Sequence, residues 1–410
     1  MSAHTHSGQA TTHHFDGVNP GVHAITQEMI AVRHQIHANP ELSLQEHATS
    51  ELVAKLLTQW GYEIHRGLAG TGVVGTLKIG EGTRRVGIRA DMDALPIHEE
   101  TGLEYASRNP GVMHACGHDG HTAILLTAAR HLAQTREFNG TLHLIFQPAE
   151  ERDCGADIMV KAGLFEMFPC DMVFALHNMP GARVGSFGFL SGCFMASSDT
   201  VHITVRGTGG HGANPHRAND TVVAASHIVL ALQTIVSRNV DPRDTAIITV
   251  GAIHGGEAPN VIPGEVKLTL SVRAFDPAVR DQLQRRIPEV AQGQAAALQC
   301  TADVDYRLGC PATINDDAAT RFARDVAVEW LGPECLIDGM RPVTGSEDFS
   351  FMLEAVPGSY FIVGNGVGDT HATGGCMVHN PGYDFNDEVL PIAASYWVRL
   401  VERYLRPTTS

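Results

Sequence analysis

The chain has few tryptophans and tyrosines, 3 and 7 in 410 residues. Positive charge is also short: Lys plus Arg is 29 against 45 Asp plus Glu, a formal net charge of −16. That balance argues against general phosphate-backbone binding, which needs a dense basic face, and it does not favour docking on anionic lipid. A small cationic pocket for one carboxylate remains compatible with it. No stretch reaches ~18 uninterrupted apolar residues, so no transmembrane helix is expected. The opening MSAHTHSGQATTHHFDGVNPG has neither a basic n-region nor an apolar h-region, and a secretory signal is not expected. CxxC pairs are missing as well. The eight cysteines (116, 154, 170, 193, 300, 310, 335 and 376) are scattered. Such spacing reads as reduced and intracellular, with most thiols buried as small apolar groups, and a cytoplasmic location follows.

What the chain does have is histidine, 23 in all. Histidine in such excess raises the question of metal. His4, His6, His13 and His14 fall in a polar stretch, residues 1–20, that reads as a flexible leader. Apolar residues make up 43% and charged residues 18%, the composition of a globular protein. At ~150 residues per domain the length suggests two to three domains.

Residues from Ile25 to Tyr62 read as helices, the second closed by Gly61. Short β-rich runs follow (VVGTLKIG and VGIRADMDALPI), then a helix (TAILLTAARHLAQ) and the strands TLHLIFQPAEE and MVFALHNMP. Strands alternating with helices predict an α/β layer with a mostly parallel sheet. From about Ser198 to Gly309 the rhythm changes to strand, helix, two strands, helix, strand. This βαββαβ order is the ferredoxin-like split unit. The α/β pattern resumes with a helix near Asp317–Leu331 and the strand SYFIVGN. Expected, then, is a discontinuous domain, 21–197 and 310–410, with a smaller one, 198–309, inserted.

The chemistry-bearing residues gather at the ends of the α/β strands, where ligands sit in open α/β sheets. They are Arg89-Ala-Asp91-Met-Asp93, Cys116-Gly-His118-Asp119-Gly-His121, Gln147-Pro-Ala-Glu150-Glu151, His177-Asn178 and His379-Asn380. Alone, each has an ordinary reading: a turn-forming Asp, a solvated Glu pair, a structural His. Together, Cys116-x-His118, a Glu pair and two further histidines offer thiolate, imidazole and carboxylate donors. That set suits zinc, manganese, cobalt or nickel rather than calcium or magnesium.

RADMDALP, MHACGHDGHTA, FQPAEE, LHN, GGHGANPH, NVIPGE and TGSEDF resemble the aminoacylase/hippuricase branch of the M20 metallopeptidase family, over about residues 25–405. The branch includes bacterial N-acyl-amino-acid amidohydrolases and plant auxin-conjugate hydrolases. The resemblance implies a di-metal α/β catalytic domain and an inserted lid domain that mediates a homodimer or higher homo-oligomer. It also implies metal-dependent hydrolysis of small N-acyl-L-amino acids, while the acidic balance and the lack of a long apolar run leave no nucleic-acid or membrane partner expected. By the same resemblance, Cys116, His118, Glu151, His177 and His379 are ligands of two divalent ions, with Cys116 the candidate to bridge them. Glu150 matches the general base. Asp93 matches a carboxylate that holds a ligand imidazole, and Asp91 stands where the M20 exopeptidases carry a ligand His. On the lid, His211 matches a histidine reaching the partner subunit's active site, and Asn260 a group near the oxyanion. Arg273 falls where relatives bind the substrate α-carboxylate, and Gly345 and Ser346 where backbone meets substrate.

One departure stands out: Arg152-Asp153-Cys154 follows the Glu pair where the branch often has glycines, which puts the pocket shape in question. Cys154 reads as a bystander to the ligand set. A dipeptidase or carboxypeptidase would need an acidic group for a free amine, and none is evident. A catalytically dead, metal-holding carboxylate binder would have no use for Glu150 or His211.

Overall fold

Side chains alternate between two cores along the central strands, and that alternation sets the architecture. In the computed structural model, which describes residues 17–406, Val86 and Ile88, Leu142 and Leu144, Phe174 and Leu176, and Phe361 and Val363 share one core. Their neighbours Ile145, Val173, Ala175, Tyr360 and Ile362 face the opposite one. The period of two is that of strands buried on both faces. The sheet has seven strands in the order Glu63–Leu68, Gly72–Ile79, Gly140–Gln147, Arg85–Asp91, Met172–Pro180, Gly358–Gly366, Phe187–Gly188. The four from Gly140–Gln147 to Gly358–Gly366 run parallel, and the outer strands on both sides are antiparallel.

Helices Pro20–His37, His118–Thr135, Asp317–Leu331 and Val389–Tyr404 supply the first core, with Trp397 buried at its centre. The shorter helices Gly155–Lys161 and Phe349–Ala355 supply the second. The first helix begins at Pro20 rather than Ile25, because the Asn19 side chain accepts from Gly21 N and Val22 N and Pro20 fits the first turn. Residues 17–20 are therefore not leader: Trp330 Nε1 donates to Gly17 O at 2.9 Å. Residues 1–16, including the four leader histidines, lie outside the described residues.

A second sheet has the order Ala246–His254, Glu265–Ala274, Asp199–Arg206, Thr301–Arg307, antiparallel throughout. Helices Thr221–Arg238 and Pro277–Ala297 share a separate core with it, through Ala224, Ile228, Leu232 and Ile235 and through Leu283, Ile287 and Ala291. The spacing of three and four is that of one helix face. Asp220 and Asp276 cap these helices by accepting from the next turn's backbone N–H groups. Thr221–Arg238 is, among the described residues, the one helix long and apolar enough by composition to cross a membrane. One of its faces lies on this second sheet, and the other exposes Val222, Val223 and Leu230.

Candidate metal centre

The parallel strands end at one edge of the main sheet, and their loops converge there. Arg85–Asp91 delivers Asp91 and Asp93, Met172–Pro180 delivers His177, and Gly140–Gln147 leads into Glu150 and Glu151. Ala149, at φ 56, makes the sharp turn that presents the Glu pair. Helix His118–Thr135 starts four residues before the expected Thr122, because Gly117 at φ 93 turns the chain just ahead of it. A Cβ on Gly117 would collide with Asn178 Oδ1 and Tyr383 Oη, so only glycine can pass between Cys116 and His118. His379, itself at φ 62, is held by its N–H donating to Ala115 O at 2.7 Å.

Cys116, His118 and His177 can place one ligand atom each within 4.8 Å of one another, and so can Cys116, Glu151 and His379. Cys116 belongs to both sets. Its Sγ is 3.3 Å from His177 Nε2, and Glu151 Oε1 is 3.3 Å from His379 Nε2 and 3.9 Å from His118 Nε2. Hydrogen bonds select the tautomers a metal needs. His118 Nδ1 donates to Asp93 O at 2.9 Å and His177 Nδ1 to Asn178 O at 2.7 Å, which leaves both Nε2 lone pairs facing the cluster. His118 Nε2 and Glu151 Oε1 are buried without a hydrogen-bond partner. Buried polar atoms of that kind ordinarily have partners, and a cation supplies one for each.

The electrostatics point the same way. Burial alone would lower the pKa of His118, yet Asp91 and Asp93 outweigh it and raise the pKa to about 10. Burial and the carboxylates of Glu151, Glu150 and Asp91 push the Cys116 thiol well up. The pocket is short of positive charge, and a divalent ion would replace these protons. Donor chemistry, orphaned atoms and charge all fit a pair of divalent metals.

Asp93 sits behind the ligands: Oδ1 is 3.2 Å from His118 Nδ1, and Oδ2 accepts from Ser43 Oγ at 2.7 Å and Glu151 N at 3.0 Å. Asp91 is fully engaged, accepting from Arg89 Nη1 at 2.7 Å and pairing with His121 Nδ1 at 2.6 Å. His121 Nε2 in turn meets Asn178 Oδ1 at 2.8 Å.

Four supporting residues carried no role in the sequence reading: Arg89, Gln147, Glu347 and Asp348. The buried guanidinium of Arg89 donates to Gln147 Oε1 at 2.8 Å, Glu347 Oε1 at 2.8 Å and Asp348 Oδ1 at 3.1 Å, besides Asp91. An arginine inside an otherwise apolar strand was the available signal. Glu150, Glu347 and Asp348 can bring one carboxylate oxygen each within 4.8 Å of one another. Burial first, then Glu347, Glu151, Asp348 and Asp93, raises the proton affinity of Glu150 well above that of an ordinary glutamate.

The expected substrate-side residues lie outside this cluster. Arg273 Nη1 donates to Thr344 O at 2.8 Å, and Gly345 O accepts from Ala196 N at 2.9 Å. Through this loop, Arg273 and Gly345 adjoin Ser346, Glu347 and Asp348. On a small exposed ribbon beside the second sheet, His211 pairs with Val261, and the next residue, Gly212, donates its N–H to Asn260 O at 2.7 Å. Neither His211 nor Asn260 hydrogen-bonds to the metal-ligand cluster. Ala213 N donates to His211 Nδ1 at 3.0 Å, which leaves Nε2–H as a free donor.

An open α/β sheet with paired ligand sets and an adjoining high-affinity carboxylate is the arrangement of a metal-dependent hydrolase. The sequence profile described as peptidase family M20/M25/M40 matches residues 87–403. The chain belongs to this family. It is 44% identical over 387 residues to a hippurate hydrolase of Campylobacter jejuni, covering 94% of this chain and 99% of that protein. It is 39% identical to an N-acetyl-L-cysteine deacetylase of Bacillus subtilis, covering 91% and 87% respectively. A dinuclear metal-binding M20 peptidase from Bacillus subtilis, YXEP, superposes with a TM-score of 0.79 at 31% identity, covering 93% of this chain and 99% of that one. A Staphylococcus aureus aminohydrolase superposes at 0.85 with 31% identity, covering 94% and 98%.

Proposed function

We propose that the enzyme hydrolyses the amide bond of N-acyl-L-amino acids, hippurate-like or bearing acetyl or longer acyl groups, to a carboxylate and a free amino acid. One observation carries this reading: Glu150, a carboxylate with raised proton affinity, stands directly beside the shared ligand sets. Relatives named as a hippurate hydrolase and an N-acetyl-L-cysteine deacetylase support the substrate class.

Cys116, His118, Glu151, His177 and His379 would hold two divalent ions, Cys116 being common to both sets; zinc, manganese, cobalt or nickel would suit, and availability selects among them. Such ions would supply acidification of a water and polarisation of a carbonyl. Glu150 takes the proton of the attacking water and passes it to the leaving nitrogen, and its high proton affinity serves that storage step. Asp93 is a positioning residue that fixes the His118 ring. Arg273 exchanges the Thr344 carbonyl for the substrate α-carboxylate, which its planar fork grips in bidentate fashion. The Gly345–Ser346 backbone lies beside it.

Residues 198–309 act as lid and dimerisation domain. Exposed Val222, Val223 and Leu230 on the outer helix and Ile253 on the sheet's edge strand support an apolar interface with a second copy. Across it, His211 Nε2–H polarises the scissile carbonyl in the partner subunit's active site, with Asn260 nearby. Eight free thiols support a cytoplasmic location.

The test is a panel of benzoyl-, acetyl- and long-acyl-amino acids and dipeptides, run with purified protein with and without Mn²⁺, Zn²⁺ or Co²⁺. Metal-dependent release of amino acid from the acyl substrates is expected. Preference for dipeptides would make it a dipeptidase, and silence with metal bound would make it a binder.

A further inference from the structure

The Arg152-Asp153-Cys154 segment and the chain returning from the lid bring two thiols together. Cys154 Sγ lies 3.4 Å from Cys310 Sγ across 156 residues of sequence. Neither belongs to the ligand sets of the metal centre. Each thiol is only partly buried. Cys154 and Asp153 occupy consecutive left-handed positions, φ 52 and 68, on the loop that follows Glu150 and Glu151. Cys310 sits where both lid connections pass: its carbonyl accepts from Ser198 N at 2.9 Å, and Gly309 N donates to Asp199 Oδ1 at 3.0 Å.

We propose that Cys154 and Cys310 form a redox-modification site, which a peroxide closes to a disulfide tying the Glu150–Glu151 loop to the lid connections and slowing turnover. The sulfurs need to approach by only ~1.4 Å to reach an S–S bond of ~2.05 Å. The contact also divides the labour. Cys154 follows the exposed residues Arg152 and Asp153, on the solvent side of the contact. Cys310 lies behind it, on the chain returning to the main sheet. Cys154, on the solvent-exposed loop, is therefore the thiol that a peroxide meets first, and it attacks as the thiolate.

Its sulfur bonds to one peroxide oxygen, the O–O bond breaks, and the departing oxygen leaves as water, giving the sulfenic acid. Cys310 sulfur then displaces the hydroxyl: the S–S bond forms, the S–O bond breaks, and a second water leaves. Two thiols are oxidised to one disulfide, and one hydrogen peroxide is reduced to two waters.

The closure reaches the catalytic loop through specific bonds. Gly155 N donates to Ala149 O at 2.9 Å, locking the loop around the Glu pair, and Ala156 N donates to Asp348 Oδ2 at 2.9 Å. A shift of about 1 Å in such a constellation can cost up to ~100-fold in rate.

The experiment treats metal-loaded enzyme with one equivalent of hydrogen peroxide, quenches with catalase, and alkylates with N-ethylmaleimide. Expected are a fall in alkylated thiols from eight by two, a peptide linking Cys154 to Cys310, and benzoylglycine turnover reduced about ten-fold or more. A phosphine should restore activity. Cys154→Ser and Cys310→Ser should keep basal turnover and escape the reversible loss. Unchanged thiol content, or the same loss in Cys310→Ser, would overturn the site; a linked enzyme with full turnover would overturn its coupling to catalysis. The linkage is read by mass and so stands or falls apart from the substrate assignment.

Discussion

Arg89 Nη2 donates to Glu347 Oε1 at 2.8 Å, joining positions 258 residues apart beneath the metal centre. The same guanidinium neutralises Asp91 and Asp348, and all four groups are buried. Arg89→Met would leave three buried carboxylates without their cation, and removal of one partner from such a network costs about 3–5 kcal/mol. A melting temperature lower by roughly 10 °C is expected for the metal-loaded protein. Arg89→Lys should recover only part of it, since an ammonium cannot reproduce the fork. A melting curve unchanged in Arg89→Met would show that the network contributes nothing to stability.

Glu150→Gln keeps the shape of the side chain and removes the proton acceptor. Glu150 lies within reach of His118 and Glu151 but outside both Cys116-containing sets, and Gln keeps a carbonyl oxygen there, so metal content and melting temperature should stay near their wild-type values. The value of kcat should fall by at least ~100-fold. Near-normal turnover would move the base role to another group, and Glu347 or Asp348 would be the next to replace.

Cys116 is common to both ligand sets. If its sulfur bridges the ions, Cys116→Ala removes a ligand from each and lowers the content from two metals per subunit towards one, as measured by elemental analysis after dialysis. Retention of two ions at full affinity would rule out the bridge.

The outer face of helix Thr221–Arg238 exposes Leu230 at 71%. If the proposed dimer forms through this face, Leu230→Glu should turn it into a monomer in light scattering while leaving the metal centre loaded. If His211 works in the partner's site, co-expressed His211→Ala and Glu150→Gln subunits should complement. Half of a random mixture is mixed dimers with one intact site each, so roughly a quarter of wild-type activity is expected. Activity no higher than that of either parent would place His211 in its own subunit's site or outside catalysis.

The central strands, the βαββαβ unit and the chain neighbours of Cys116, Glu150 and His177 were legible because they follow from local pattern. Strand ends are written in the sequence as polar residues after apolar runs. Which ends lie side by side is not. Gly140–Gln147 and Met172–Pro180 flank Arg85–Asp91 on opposite sides, an order set by crossovers rather than by chain order. Arg89 therefore reads as one member of a strand-end motif, and its partners Glu347 and Asp348, in TGSEDF, lie too far along the chain for local pattern to pair them with it. The Cys154–Cys310 contact was hidden for the same reason, since nothing local relates a loop after one strand to the return from an inserted domain.

A second buried network sets a pH dependence. His37 places Nδ1 2.8 Å from Asp119 Oδ2 and Nε2 3.3 Å from Glu99 Oε1. Burial disfavours the imidazolium, but these carboxylates outweigh it and raise the pKa from 6.5 to about 9. The folded state therefore holds this proton more tightly than the unfolded chain. The resulting stability is fully present below pH 6.5 and is lost as pH rises through about 9. The shift corresponds to about 3 kcal/mol. Metal-loaded enzyme should lose melting temperature across that window, whereas His37→Gln should start lower and lose less. A wild-type curve as flat as the variant's between those two values would mean that His37 is neutral in the folded protein.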